Sequence, residues 1–298
     1  MTVALKLAST LVTLCLVILT TNSAVAEVYP FQIDAHGRPL LQVTFNNGDH
    51  ANFLLDSAAR RTGIVNALAD KQLAKRQYRS TIRHFSSAGL LALPLAKLNA
   101  FSLFDRQITE NIIALYPDDA IAKGLIGFDA LRGQLLRFEP SAQAIHVTAS
   151  PADIARQGWL RIDGRYNRHL GIVLSANYHN LEIDVLVATG SSHTILDRAA
   201  ATRLFPDKNF SLFFGVNEVY QGLAPQPRNL DTIVLKDFSI GGWYLGNLEV
   251  TVAVLPSREA TGYMDSSFMM LGADVLTRQN ISLDFRDHAV WIPANDGR

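Results

Sequence analysis

The chain has 298 residues, 48% of them hydrophobic and 18% charged, and its 27 basic and 27 acidic side chains cancel. It therefore lacks the positive excess that a dedicated nucleic-acid binder needs, and it is too apolar to be a disordered chain. The length allows one large domain or two of modest size, each with its own core.

The first 26 residues read as an export signal. Lys6 gives a positive start, Leu7 to Thr20 is apolar, and Ala24-Val25-Ala26 offers the small-x-small pattern of a cleavage site before Glu27. The apolar core is short for a membrane span of about 20 residues. The single cysteine, Cys15, lies inside this segment, so a mature chain of residues 27–298 is expected to have no disulfide, thiol nucleophile or thiolate metal site. Export without cysteine fits a bacterial periplasm or cell envelope. Beyond residue 26 no apolar stretch is long enough to span a bilayer.

The mature sequence reads mostly as short strands. Leu41 to Phe45 alternates at period two, Asn46-Asn47-Gly48-Asp49 signals a hairpin turn, and Asn52 to Leu55 returns, ending at Asp56-Ser57-Ala58. The alanine-rich stretch Ala67 to Ala74 predicts a short helix. Gly124-Leu125-Ile126-Gly127-Phe128-Asp129 is a further apolar element, followed by Leu135 to Glu139. Around Ala149 to Gln157, Pro151 and polar residues interrupt the strand pattern and mark a boundary.

The same order then recurs. Gly171 to Leu174 predicts a strand, Ser175 to Asn180 a turn region, and Leu181 to Val187 a strand ending at Ala188-Thr189-Gly190. Ala199 to Leu204 matches the earlier alanine-rich stretch. Met270-Leu271-Gly272-Ala273-Asp274 and Ile281 to Phe285 match the later elements. Two blocks in one order at similar spacing imply two copies of one folding unit.

These residues carry a family resemblance. Phe53-Leu54-Leu55-Asp56-Ser57-Ala58 resembles the apolar-strand-then-Asp-Thr/Ser-Gly/Ala motif of aspartic peptidases. Val185-Leu186-Val187-Ala188-Thr189-Gly190 resembles the same motif with its aspartate missing, and Leu125-Ile126-Gly127 and Met270-Leu271-Gly272 resemble that fold's paired hydrophobic-hydrophobic-Gly elements. The chain is similar over about residues 40–295 to the bacterial exported relatives of the pepsin and retropepsin-like proteases. The resemblance implies an all-β fold with a few short helices, built as two similar lobes, an N-terminal lobe at 27–150 and a C-terminal lobe at 151–298. It implies a cleft between the lobes that takes an extended peptide or protein segment, with no cofactor, no metal and no nucleic acid.

The family's chemistry needs two carboxylates about 3 Å apart sharing one proton, the ionised one activating water and the protonated one polarising the scissile carbonyl. Asp56 matches one position; Ala188 occupies the other, and a methyl group can neither share a proton nor hold water. Ser57 and Thr189 match the hydroxyls that tie the two loops together in the family, and Ala58 and Gly190 the small third residues. Asp184 lies four positions before Ala188, about 13 Å along a strand, and Asp197 follows beyond a turn, so neither is expected to replace the missing carboxylate. Three readings follow: a peptide-binding relative with weak or no hydrolysis, an active aspartic endopeptidase, or a non-catalytic periplasmic binding or scaffold protein. A monomer is the expected state; a homodimer is the arrangement in which two Asp56 side chains would meet.

Ser86 and Gly89, and Tyr220 and Gly222, fall where the family's covering flap hairpins would lie. Arg60, Arg61, Lys71, Lys75, Arg76, Arg79 and Arg83 cluster with only Asp70 opposing, which suits either an anionic partner or a solvated helix face. The eight histidines are scattered, with no His-x-x-x-His pair, so no zinc site is expected; His193 is either a cleft residue or a packing residue.

Overall fold

The computed structural model describes residues 26–72, 75–86, 89–118, 122–148, 151–167, 171–210, 231–255 and 267–294. Residues 1–25 of the expected signal segment, and Tyr220 and Gly222, lie outside the described residues. Strands dominate, and the helices are short.

The first half runs β1 (Glu27–Pro30), β2 (Gln32–Ile33), β3 (Pro39–Phe45), β4 (His50–Leu55), β5 (Gly63–Val65), α1 (Asn66–Lys71), β6 (Lys75–Ser86), β7 (Gly89–Leu103), β8 (Arg106–Tyr116), β9 (Gly124–Ile126), α2 (Phe128–Leu131), β10 (Leu135–Glu139) and β11 (Ala144–Thr148). After α3 (Pro151–Arg156), the second half runs β12 (Trp159–Asp163), β13 (Arg165–Asn167), β14 (Gly171–Tyr178), β15 (Leu181–Val187), β16 (Ile195–Asp197), α4 (Arg198–Leu204), β17 (Asp231–Ile240), β18 (Trp243–Ala253), β19 (Ser267–Leu271), α5 (Ala273–Leu276), β20 (Ile281–Asp284) and β21 (Ala289–Pro293).

The doubling legible in the sequence reappears in the pairing. One sheet has the order β2-β3-β4-β9-β5-β8-β7-β6, the other β13-β14-β15-β19-β16-β18-β17. From β2 to β7 each strand has a counterpart, and the directions agree. β4 runs parallel to β9 and β5 to β8; β15 runs parallel to β19 and β16 to β18. A third sheet, β1-β11-β10-β20-β21-β12, draws strands from both halves and reads symmetrically about its centre. There β10 pairs antiparallel with β20, matching Leu136 with Leu283 and Phe138 with Ile281. All four side chains are completely buried, and each contributes roughly 1.5–3 kcal/mol on burial. This seam fixes one half against the other.

Local sequence explains the hairpins. Gly48 turns between β3 and β4 at φ +83°, a conformation that glycine adopts without strain. The second hairpin turns tighter than the sequence predicts. β14 continues to Tyr178, and only His179 and Asn180, both at positive φ, form the turn, the backbone pattern of a two-residue hairpin whose twist matches its strands. β4 ends in the fully buried run Phe53-Leu54-Leu55 and β15 in Val185-Leu186-Val187, a continuous apolar pattern that suits strands covered on both faces.

Two expectations need correction, and one segment holds a helix that the sequence did not predict. The helix predicted over 67–74 is shorter and begins earlier, at Asn66–Lys71. The interruption at 149–157 contains helix α3, with Pro151 at its first position, where a missing N–H costs nothing. The basic cluster is not a helix face. Only Lys71 lies on a helix, where it pairs with Asp49 at 3.0 Å; Arg60 and Arg61 lie in the loop after β4, and Lys75 to Arg83 belong to β6.

Candidate functional site

The loops that follow β4 and β15 meet. Asp56 continues the β4–β9 ladder by donating its N–H to the Ile126 carbonyl at 3.0 Å, and Ala188 does the same toward Leu271 at 3.0 Å. Beyond them the two loops are joined by a reciprocal set of hydrogen bonds. The Ser57 N–H donates to Thr189 Oγ1 at 3.0 Å, and the Thr189 N–H donates to Ser57 Oγ at 3.0 Å. Each hydroxyl then donates across to the strand of the other half, Ser57 to the Val187 carbonyl and Thr189 to the Leu55 carbonyl, both at 2.7 Å. Ser57 and Thr189 are completely buried, so water cannot replace these bonds.

Each loop is braced from behind by one motif used twice. Thr62 and Thr194 stand six positions after Asp56 and Ala188. Thr62 donates its N–H and hydroxyl to Asp129, both at 2.7 Å, and its oxygen accepts the Gly127 N–H at 3.1 Å. Thr194 donates its N–H and hydroxyl to Asp274 at 2.9 and 2.8 Å and accepts the Gly272 N–H at 3.0 Å. The recurrent glycines answer to this crossing: a side-chain carbon at Gly127 would lie 2.7 Å from the Thr62 nitrogen, and one at Gly272 would overlap the His193 carbonyl. His193 therefore contributes backbone to the brace, and the Ser191 hydroxyl donates to its carbonyl at 2.8 Å.

Asp56 sits where the loops converge. Its Oδ1 accepts the N–H groups of Ala58 at 3.0 Å and Ala59 at 3.2 Å, and the Gly190 N–H from the opposite loop also points to it. A side chain at Gly190 would fall inside the Asp56 carboxyl group. Burial is the largest influence on this carboxyl and raises its pKa above 3.8; the N–H donors of Ala58 and Ala59, the charge of Arg38 and the Gly190 N–H oppose it without cancelling it. Ala188 is buried in an apolar cluster with Val173, Leu186, Ile195 and Phe268, and Ala58 packs against it.

The two other carboxylates near the second loop are committed elsewhere. Asp184 forms an ion pair with Arg165. Asp197 caps α4 by accepting the Ala199 N–H at 3.1 Å and also accepts the Leu255 N–H at 3.2 Å. Among the described residues no group of three or more His, Cys, Asp or Glu is placed to hold a metal, and no helix is long and apolar enough to cross a membrane. The β6–β7 hairpin closes with Ser86 opposite Gly89, so these two residues stand at its tip.

Sequence reasoning missed three groups around Asp56. Arg38 is fully buried and bound to Asp34 by a 2.7 Å ion pair. Tyr116, at the end of β8, lies 3.2 Å from His84 Nδ1 through its hydroxyl, with the rings edge to face. Burial lowers the His84 pKa to about 4. Burial, followed by the charges of Asp56 and Asp129, pushes the Tyr116 hydroxyl far up. None of these residues belongs to a local motif. The Thr62/Thr194 recurrence, by contrast, was open to detection as a matching offset from the two loop motifs.

The chain matches no protein-family model and no curated protein.

Proposed function

We propose that this protein is an exported relative of the aspartic peptidases, with two β lobes at 27–150 and 151–298, that binds an extended peptide or protein segment in the cleft between them and hydrolyses it weakly or not at all. The observation that carries this reading is the reciprocal Ser57–Thr189 bonding between loops that present Asp56 on one side and Ala188 on the other. Such loops bring two carboxylates together when both are acidic; here one is a methyl group. Asp56 has N–H donors from both loops but no acid to pair with, so it can accept a proton from water yet cannot polarise a scissile carbonyl through a protonated twin. The Thr189 loop already fills the position beside Asp56 that the same loop of a second copy would need, which favours a site made within one chain. The β6–β7 hairpin supplies strand backbone for pairing with an extended ligand.

Ala188→Asp tests the reading. The variant should acquire acid-range cleavage of an unfolded protein substrate such as casein, at least about a hundredfold above wild type, the lower end of what positioned acid–base catalysis contributes. Ala188→Asp combined with Asp56→Asn should lose that gain. A variant that keeps its fold by circular dichroism and shows no gain would refute the reading, as would wild-type cleavage that survives Asp56→Asn.

A further inference from the structure

A recess beside the Asp56 loop carries a charge pattern that the proposed function leaves unused. It is lined by Ala58, Arg60 and Arg61 from the loop, by Ile82, Arg83 and His84 from β6, and by Ala114 from β8. β6 is the last strand of its sheet. The recess therefore gathers arginines from two separate elements against Ala114 of β8 and beside an edge strand.

Among the described residues the charge there is compensated only at Arg61. Arg61 is held in place, donating to the Ile112 carbonyl at 2.7 Å and standing 3.8 Å from Asp129, while its Nε is buried without a hydrogen-bond partner among the described residues. Arg60 and Arg83 are exposed, and no described carboxylate pairs with either. His84 is buried and neutral near pH 7, so it adds hydrogen-bonding capacity rather than charge. Guanidinium groups with free donors suit carboxylates, which they bind through paired, charge-assisted hydrogen bonds.

We infer that this recess is a specificity subsite that selects an acidic side chain, Asp or Glu, in the extended peptide bound at the cleft. The inference rests on the peptide-binding reading above and adds the chemistry of one ligand position. The subsite and Asp56 share the 56–61 loop, so a peptide bound at the cleft would place its acidic residue at a fixed offset from Asp56.

The test is capture from a randomised decapeptide pool by the purified protein, with the bound fraction sequenced by mass spectrometry. Wild type should enrich Asp and Glu about tenfold at one position, on the scale of one charge-assisted contact. The enrichment should shrink at about 1 M salt, where the screening length falls to roughly 3 Å. The Arg60→Gln/Arg83→Gln variant should still capture peptides but without the acidic preference. Both arginines are exposed, so folding is not at stake, and circular dichroism verifies it. Capture without acidic enrichment, enrichment that persists in the variant, or loss of all capture by a folded variant would each overturn the subsite alone. Failure of wild type to capture any peptide would overturn the peptide-binding reading and the subsite with it.

Discussion

Thr189→Val removes one oxygen and leaves the side-chain shape nearly unchanged. In the folded protein that oxygen accepts the Ser57 N–H at 3.0 Å and donates to the Leu55 carbonyl at 2.7 Å. Both partners come from the other half of the chain, and the site is completely buried. An orphaned buried N–H costs about 1–3 kcal/mol; the carbonyl costs somewhat less, because its oxygen has a second lone pair. The expected loss is therefore about 2–4 kcal/mol, a large share of a typical domain's total stability. Thr189→Ser keeps the hydroxyl and removes one methyl group, so its loss should stay near 1 kcal/mol. Urea denaturation followed by fluorescence of Trp159, Trp243 and Trp291 reads both values. A cycle with Ser57→Ala sharpens the test. Residues in one hydrogen-bond network couple by about 0.5–3 kcal/mol, whereas distant ones add to within about 0.5 kcal/mol. Additive losses, or a Thr189→Val variant as stable as wild type, would mean that the loops do not meet.

Other expectations follow from the same geometry. Because burial raises the Asp56 pKa, the folded chain holds that proton longer than the unfolded chain. Its contribution is complete below 3.8 and is lost as pH rises through the raised value. Asp56→Asn should therefore gain on wild type by up to about 1.4 kcal/mol per pH unit across that window; parallel stability curves would contradict the raised pKa. His84 has the opposite sign. Its folded-state pKa is lowered from 6.5 to about 4, so its contribution is complete above 6.5 and is lost as pH falls toward 4. Imidazole NMR should show one ring titrating near 4, and a spectrum in which every histidine titrates near 6.5 would contradict its burial. Gly190→Ala should destabilise by about 1–3 kcal/mol through overpacking against the Asp56 carboxyl. Adding Asp56→Ala should restore most of that loss, and a neutral Gly190→Ala would place the carboxyl elsewhere.

Much of this arrangement is legible in the residues before any fold is known. The β3–β4 hairpin follows from period-two alternation and the Asn-Asn-Gly-Asp turn, both local signals. The recurrence of Asp56-Ser57-Ala58 as Ala188-Thr189-Gly190, and of Leu125-Ile126-Gly127 as Met270-Leu271-Gly272, points to matching loops with one acid missing. The helix-face reading of the basic cluster failed because the neighbouring alanine-rich sequence favours helix, while long-range pairing with β7 drew Lys75 to Arg83 into a strand.

By itself, then, the sequence determined the strand-rich character, the doubled order of elements and the single acid at the paired motifs, because alternation, turn residues and repetition are written in neighbouring positions. Only the tertiary structure decided that Ser57 and Thr189, 132 positions apart, bond reciprocally. It alone placed the Gly190 N–H on Asp56, buried His84 against Tyr116, and set Arg60 and Arg83 around one recess. Those relations depend on the parallel pairings β4–β9 and β15–β19 and on the β10–β20 seam, contacts between distant segments that leave no pattern in adjacent residues.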